Sequence, residues 1–228
     1  MPTLYVVATP IGNLEDITLR AIRILKEVDL ILCEDTRHTK RLLNHYEIKT
    51  PTQSYHQHSS EAKVKKIIEM LGEGKNLAMV SDAGTPGIND PGVMLLKEIV
   101  DQAGDVINIV SVPGPSAVIA ALSVSGFPSH EFLYLGFLPH KKGRQTIFKS
   151  IDASETTIVL YESSHRILKT LEALSLILEP NRQFVVCREL TKMHETVYRG
   201  TSQIVIDALK NTSTKGEFVV IIAPQSWG

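Results

Sequence analysis

Short apolar runs rich in β-branched residues alternate with amphipathic segments through the first half of the chain. This alternation constrains the fold more than any other feature. "TLYVVA" precedes "ITLRAIRILKEV", "DLILC" precedes "HTKRLLNHY", "NLAMV" precedes "VMLLKEIV", and "INIVSV" precedes "SAVIAALSV". Parallel neighbours need a crossover connection, and a helix is the usual one, so the pattern predicts a largely parallel α/β sheet. The runs are nearly continuous in apolarity, as strands are when helices cover both faces.

The texture changes near residue 127. "EFLYLGFLP" leads into "HKKGRQ", read as a basic loop, and "TTIVLYE" precedes the amphipathic "SHRILKTLEALSLIL". "QFVVCREL" and "ETVYRG" precede "SQIVIDALK", and "EFVVIIAP" closes the pattern. Strands are more numerous per helix here, which predicts a mixed sheet. Gly and Pro in "SGFPS" punctuate the change. The expectation is two α/β domains, residues 1–125 and 126–228. A chain of 228 residues that is 43% hydrophobic has material for one or two real cores.

A net charge of −1 gives the whole chain no pull toward a polyanion, so any RNA site must be a local cluster. No apolar run approaches the length of a membrane span, and the start "MPTLYVVATPIG" lacks the marks of a secretory signal. A cytoplasmic protein with no membrane partner is expected. Cys33 and Cys187 end strand-like runs, and two reduced, buried thiols suit that compartment.

The unusual polar motifs lie where strands end. "TPIGNL", "CEDTRHT", "SDAGTPGINDPG" and "PGPSA" follow strands of the first half, and "YESSHR" and "RELTKMHE" those of the second. Open α/β sheets bind ligands outside the carboxyl ends of their strands, so motifs from both halves predict a site between two domains. Each motif also has a plainer reading: Gly and Pro make tight turns, and Ser116 can cap a helix. That reading weakens for "SDAGTPGINDPG", whose twelve residues exceed the usual two to six of such a loop. Its glycines let backbone N–H groups approach a ligand, and Asp82 at the strand end is set to accept from hydroxyl or amino groups. Gly84, Gly87 and Gly92 fit neither a P-loop nor a dinucleotide fingerprint, and the loop has no lysine. A ligand of low net charge is expected there.

The ordered series "TPIGNLEDIT", "EDTRHTKRLL", "VSDAGTPGINDPG", "VPGPSA", "GFLP", "YESSHR", "RELTKMHE" and "KGEFVVII" resembles the tetrapyrrole-methylase-like superfamily of S-adenosylmethionine (SAM) methyltransferases, over residues 4–223. Within it the chain is similar to the branch that methylates the ribose 2′-hydroxyl of a cytidine in small-subunit ribosomal RNA. The resemblance implies two α/β domains with SAM in the interdomain cleft, a homodimer, and small-subunit rRNA or the assembled small ribosomal subunit as partner. It implies SAM contacts at Ile11, Gly12, Asp82, Ala83, Gly84, Thr85, Pro113, Ser116 and Ala117, and at Tyr161, Leu190 and Glu217. Such proteins usually continue into a small helical C-terminal segment, whereas this chain stops at Trp227 and Gly228.

Transfer of a methyl group from a sulfonium is an in-line displacement, so alignment is the protein's main task, worth roughly 7–11 kcal/mol. A ribose hydroxyl is a weak nucleophile, which a base or a cation beside the developing alkoxide would help. Lys192 is the candidate beside the acceptor, oriented by Glu189 or Glu195, with Asp35 and Arg37 positioning ribose or phosphate. These charges also read as a salt-bridge network. Arg37, Lys40 and Arg41 of "RHTKR", and Lys141, Lys142 and Arg144 of "HKKGR", are the RNA candidates. His56 and His58 have no third ligand nearby in sequence, so no metal is expected. A precorrin-type carbon methyltransferase and a non-catalytic SAM-binding module are the competing readings.

Overall fold

The computed structural model describes residues 1–56, 61–90 and 92–227, so His58 and Pro91 lie outside the described residues. The chain forms two compact units, Met1–Ser116 and Ala117–Gly228.

The first unit runs β1 (Thr3–Val7), α1 (Leu19–Glu27), β2 (Leu30–Cys33), α2 (Thr36–His45), β3 (Thr52–Ser54), α3 (Glu61–Gly72), β4 (Leu77–Met79), α4 (Gly92–Ala103) and β5 (Asn108–Val112). The sheet order is β3-β2-β4-β1-β5 and every neighbouring pair is parallel. Successive strand side chains point to opposite faces. Val7, Ile31, Cys33 and Ala78 therefore pack with Ala21, Ile24, Leu25, Leu42 and Leu43 of α1 and α2. Leu4, Val6, Leu32, Leu77 and Met79 pack with Ile67, Leu71, Leu95 and Ile99 of α3 and α4. The first strand hands over to β2 across β4, and β4 hands over to β5 across β1. The chain leaves these two neighbours in opposite directions, which opens a crevice at their carboxyl ends.

Thr9 and Gly84 meet at that crevice in an isolated antiparallel bridge, with Thr9 N–H donating to Gly84 C=O at 2.9 Å and Gly84 N–H to Thr9 C=O at 3.0 Å. Gly84 has φ +81°, and a Cβ there would come within 3.4 Å of Ile11 Cγ2 and 3.7 Å of the Pro115 carbonyl. Glycine suits this position for conformation more than for room.

The second unit runs α5 (Ala117–Ser125), β6 (Phe132–Phe137), α6 (Arg144–Asp152), β7 (Thr157–Ser163), α7 (Ile167–Ser175), β8 (Gln183–Arg188), β9 (Thr196–Thr201), α8 (Ser202–Asn211) and β10 (Glu217–Ile222). Its sheet, in order β6-β7-β10-β8-β9, is mixed: β6 and β7 are parallel and the other pairs antiparallel. Helix α5 presses Val118, Ala121 and Leu122 onto Val159, Val185, Val219 and Ile221 of this sheet. That packing puts α5 in the second unit, so the units divide after Ser116 where the Gly–Pro signal suggested residue 125. The stretch read as a basic loop is also shorter, since α6 begins at Arg144 behind Gly143, whose φ is +81°. Both cysteines are buried and free.

Arg182, 2% exposed, fastens one end of the second unit. Its guanidinium donates to the carbonyls of Ala223 (2.7 Å), Ile151 (3.1 Å), Ser154 (3.1 Å) and Asp152 (3.2 Å). These include the last carbonyls of α6, of which that of Ile151 also accepts the Ser154 N–H at 3.2 Å.

Candidate active site

The carboxyl rim of the first sheet is held by bonds that cross between its loops. Ser81, 4% exposed, donates to the carbonyls of Ala83 (3.2 Å) and Gly84 (3.3 Å), and the Thr85 hydroxyl donates to Pro115 C=O at 3.0 Å. Gly87 at φ +84° and Asn89 at φ +68° turn the loop back toward α4. Asp82 is exposed, and its Oδ1 accepts the backbone N–H of Asp35 at 3.1 Å, which leaves the rest of its carboxylate facing outward.

Behind Asp82 lie two more acids. Burial, then the nearby Asp90 and Asp82 charges, push the Glu34 carboxyl up to about 7, against which the Asp82 backbone N–H acts. Burial and Asp82 push Asp90 up to about 6, against the hydroxyl of Ser81. Asp90 therefore faces a side chain at the other end of its own loop. Glu34 and Asp90 line a small space of about 10 Å³ together with Cys33, Tyr55 and Ser81.

The next loop starts α2. Asp35 caps it, accepting Arg37 N–H at 2.8 Å, and its carboxylate also takes the Arg37 guanidinium at 3.2 and 2.8 Å. The Arg37 hydrogen bonds hold the Asp35 carboxyl well below the usual carboxylate range. Arg37 itself is 90% exposed along its side chain. Lys40 and Arg41 are exposed on the same helix, whose ten residues include no acid. A cavity of about 290 Å³ opens between this helix and the loop after β1, with Pro10, Gly12, Leu14, His38, Arg41 and Asp82 in its wall. Asn13 shapes that loop by accepting Glu15 N–H at 3.1 Å, and the Tyr46 hydroxyl donates to Leu14 C=O at 2.5 Å, tying the loop to the end of α2.

In the second unit the β8–β9 connection carries a lysine between two carboxylates. Lys192 Nζ donates to Glu189 Oε1 at 2.9 Å and to Glu217 Oε2 at 2.8 Å. Burial acts against the ammonium, but the two carboxylates outweigh it and hold Lys192 above the ordinary lysine range. Burial likewise opposes the Glu189 charge, and Lys192 with the Glu217 N–H overcomes it, holding Glu189 below its ordinary value. Glu189 and Thr191 take φ of +53° and +66°, an uncommon conformation for such residues. The turn is braced by Thr191 N–H on Glu195 at 2.5 Å and by Arg188 on the carbonyls of Lys215 (2.6 Å) and His194 (3.3 Å).

The profile of the Tetrapyrrole (Corrin/Porphyrin) Methylases matches residues 3–205. The chain belongs to this methylase family. Among curated relatives, the Ribosomal RNA small subunit methyltransferase I of Bacillus subtilis (strain 168) is 46% identical over 97% of this methylase and 75% of its own length. The protein of that name from Thermotoga maritima is 44% identical over 98% of this chain and 99% of its own. In structure the methylase is similar to a uroporphyrin-III-C-methyltransferase from Thermus thermophilus, with TM-score 0.67 and 19% identity over 98% of this chain and 94% of that one. A diphthine synthase gives TM-score 0.72 and 14% identity over 97% and 90%. At these identities the two structures speak for the fold.

The methylase brings Ile11, Gly84 and Thr85 together around the Thr9–Gly84 bridge and sets Asp82 beside Asp35. Gly12, Ala83 and Pro113 are exposed on the same rim, and Ser116 and Ala117 are half-buried at the junction of the units. Tyr161 lies edge-on to Tyr134 and Phe137, with centroids 5.2 and 5.7 Å apart, and Leu190 packs against the α5 core. Of the two acids named beside Lys192, Glu189 meets it; its second carboxylate is Glu217, and Glu195 is taken by Thr191 N–H. Lys141 and Lys142 are exposed, whereas Arg144 is committed to the fold. Its guanidinium donates to Pro139 C=O (3.1 Å) and Thr170 Oγ1 (2.8 Å) and lies 4.9 Å over the Phe148 ring. Burial, then the nearby Arg166, lowers the Arg144 pKa.

Neither Glu34 nor Asp90 is given a role by the sequence motifs that contain them. The signal was present: each is an acid directly next to a strand or loop end that points under the glycine loop. Among the described residues no group of three or more His, Cys, Asp or Glu is arranged to hold a metal, and no helix is long and apolar enough to cross a membrane.

Proposed function

We propose that this methylase uses SAM to methylate the ribose 2′-hydroxyl of a cytidine in small-subunit ribosomal RNA. The observation that carries the reading is identity of about 45% over nearly the whole chain with relatives named Ribosomal RNA small subunit methyltransferase I, such as the 46% identity with that of Escherichia coli O157:H7. The exposed basic face of α2 supports an RNA acceptor. A tetrapyrrole acceptor rests on likeness of fold at 19% identity.

The rim residues fit SAM on their own chemistry. Gly84 at φ +81° turns the loop beside Ile11, Asp82 keeps carboxylate surface open to hydroxyl or amino groups, and the loop has no lysine to demand a phosphate. When bound, SAM supplies an already activated methyl group. The chain's own contribution is then alignment and charge. Lys192, kept as an ammonium by Glu189 and Glu217, cannot serve as a base near neutrality. Its role in this reading is to stabilise negative charge growing on the acceptor oxygen, the electrostatic assistance worth most in a site shielded from water. Asp35 holds Arg37 at the mouth of α2, where a phosphate can take its outward N–H groups. A homodimer in the cytoplasm belongs to the same proposal.

Incubation of the purified protein with tritiated SAM and small ribosomal subunits tests it. Label is expected in the RNA, on a ribose. Intact SAM binding with unlabelled RNA would sink the reading.

A further inference from the structure

Two walls of different character face each other across the cavity between the loop after β1 and helix α2. On one side Gly12 and Asp82 belong to the rim proposed to meet SAM. On the other, His38 and Arg41 belong to the basic face proposed to meet RNA. The group that accepts the methyl must touch both.

The space is also of limited size. At about 290 Å³ it falls at the lower end of small-molecule pockets, which begin near ~300 Å³. One nucleoside fits such a volume and a macrocycle does not. The wall is apolar at Pro10, Leu14 and Leu42, with Leu14 38% exposed, and polar at Arg41, His38 and Asp82. Apolar faces with a polar edge match a nucleobase, whose ring faces stack and whose edge hydrogen-bonds. The cavity is built firmly, because Tyr46 fastens Leu14 C=O to α2 and Asn13 fixes the turn.

We propose that this cavity receives the single target nucleotide, taken out of the RNA stack, with its ring against Pro10 and Leu14 and its edge toward Arg41 and His38. The inference rests on the rRNA reading above and adds the subsite. Enzymes that do chemistry on a base extrude its nucleotide into such a pocket, the unstacking being offset by contacts inside, and the same extrusion would carry a ribose to this rim. Arg41 then does more than neutralise a phosphate: it reaches the base or its sugar.

The experiment compares wild type with Leu14→Trp and Arg41→Ala, using tritiated SAM and small ribosomal subunits, with SAM affinity by calorimetry and thermal melting as controls. Leu14 and Arg41 are exposed, so the fold tolerates these changes. Leu14→Trp fills the cavity and is expected to lower kcat/KM at least about tenfold, while SAM affinity stays within about twofold, since misplacing the acceptor acts on transfer and not on cofactor binding. Arg41→Ala should show a loss of similar size, and it carries the test if Leu14→Trp melts early. Wild-type rates in both Leu14→Trp and Arg41→Ala would overturn the inference while leaving the rRNA reading intact. A parallel loss of SAM affinity in Leu14→Trp would overturn it differently, by giving the cavity to the cofactor. Unlabelled RNA with the wild-type protein would remove the rRNA reading, and the inference with it.

Discussion

Asp82 Oδ1 accepts the backbone N–H of Asp35 at 3.1 Å and so joins the turn after β4 to the turn after β2. The turn after β4 borders the crevice where the strand connections diverge, and the turn after β2 supports it from the other side. An exposed hydrogen bond of this kind is worth about 1 kcal/mol or less, so Asp82→Ala should leave stability nearly unchanged. The effect should fall on SAM. A carboxylate bonding to hydroxyl or amino groups makes strong hydrogen bonds, and its loss is expected to weaken SAM by about tenfold or more. Asp82→Asn keeps an acceptor for Asp35 N–H but drops the charge, and should lie between. Calorimetry decides it, and SAM affinity unchanged in Asp82→Ala would remove Asp82 from the cofactor site.

Glu34 makes a prediction about pH. Its folded pKa, near 7, lies above the ordinary 4.5, so the folded state holds this proton more tightly than the unfolded state. Stability from that proton is full below the ordinary value and is lost as pH rises through about 7. Glu34→Gln, which stays neutral, should therefore gain on wild type as pH rises from about 5 to 8. The shift sets a ceiling of about 3 kcal/mol, and solvent screening at this half-buried group lowers the expected gain to about 1–2 kcal/mol. Denaturation at the two pH values measures it. Asp90 and Asp82 face the same carboxyl, so a gain of equal size at both pH values would mean that packing, and not charge, is responsible.

The parallel first sheet was legible because each strand run is apolar throughout and each is followed by a segment of helical period. Strand β3 was not, since "TQS" is three polar residues paired on one side only, to β2, and takes its form from that neighbour. Helix α3 carries five charged residues among its twelve, "EAKVKKIIEMLG", and buries only Ile67 and Leu71 deeply, which blurs its periodicity. The division after Ser116 depends on which sheet α5 covers, and a helix apolar all round gives no sequence clue to that. The motifs singled out in the first unit do follow its strands β1, β2, β4 and β5. Pairings across long sequence separation were hidden: Lys192 with Glu217, 25 residues on, and Arg144 with Thr170, 26 residues on. A basic "HKKGR" reads as solvated, and only the fold shows Arg144 turned inward.

Lys192 should act on the chemical step. Lys192→Met removes the ammonium while keeping an unbranched stem, and leaves Glu189 and Glu217 without their cation. Loss of one preorganised stabiliser typically costs about 10²–10³ in kcat, and a fall in that range is expected with SAM affinity unchanged. Because the carboxylates hold Lys192 above the ordinary lysine range, the wild-type rate should not decline from lysine deprotonation until well into alkaline pH. Single-turnover methylation across pH checks both points. A rate that rises as lysine deprotonates would instead make Lys192 a base. Glu195→Ala should change kcat little, since that carboxylate serves Thr191 N–H.

Arg182 predicts where the second unit fails. Its buried guanidinium meets four backbone carbonyls and no carboxylate among its hydrogen-bond partners, and burial lowers its pKa. The arrangement persists because the planar fork satisfies several acceptors at once, including the end of α6. Lysine has one nitrogen and cannot span them. Ile151 and Ser154 keep backbone donors from Ser154 and Gln225, so Arg182→Lys should strand chiefly the Ala223 and Asp152 carbonyls, at about 1–3 kcal/mol each where water cannot reach, for a total near 3 kcal/mol. Arg182→Met, similar in bulk but without donors, should cost at least as much. Guanidinium denaturation followed by helical circular dichroism measures both. If Arg182→Lys cost under about 1 kcal/mol, water would have to serve those carbonyls as well as the guanidinium does, and the four-fold bonding would be incidental to stability.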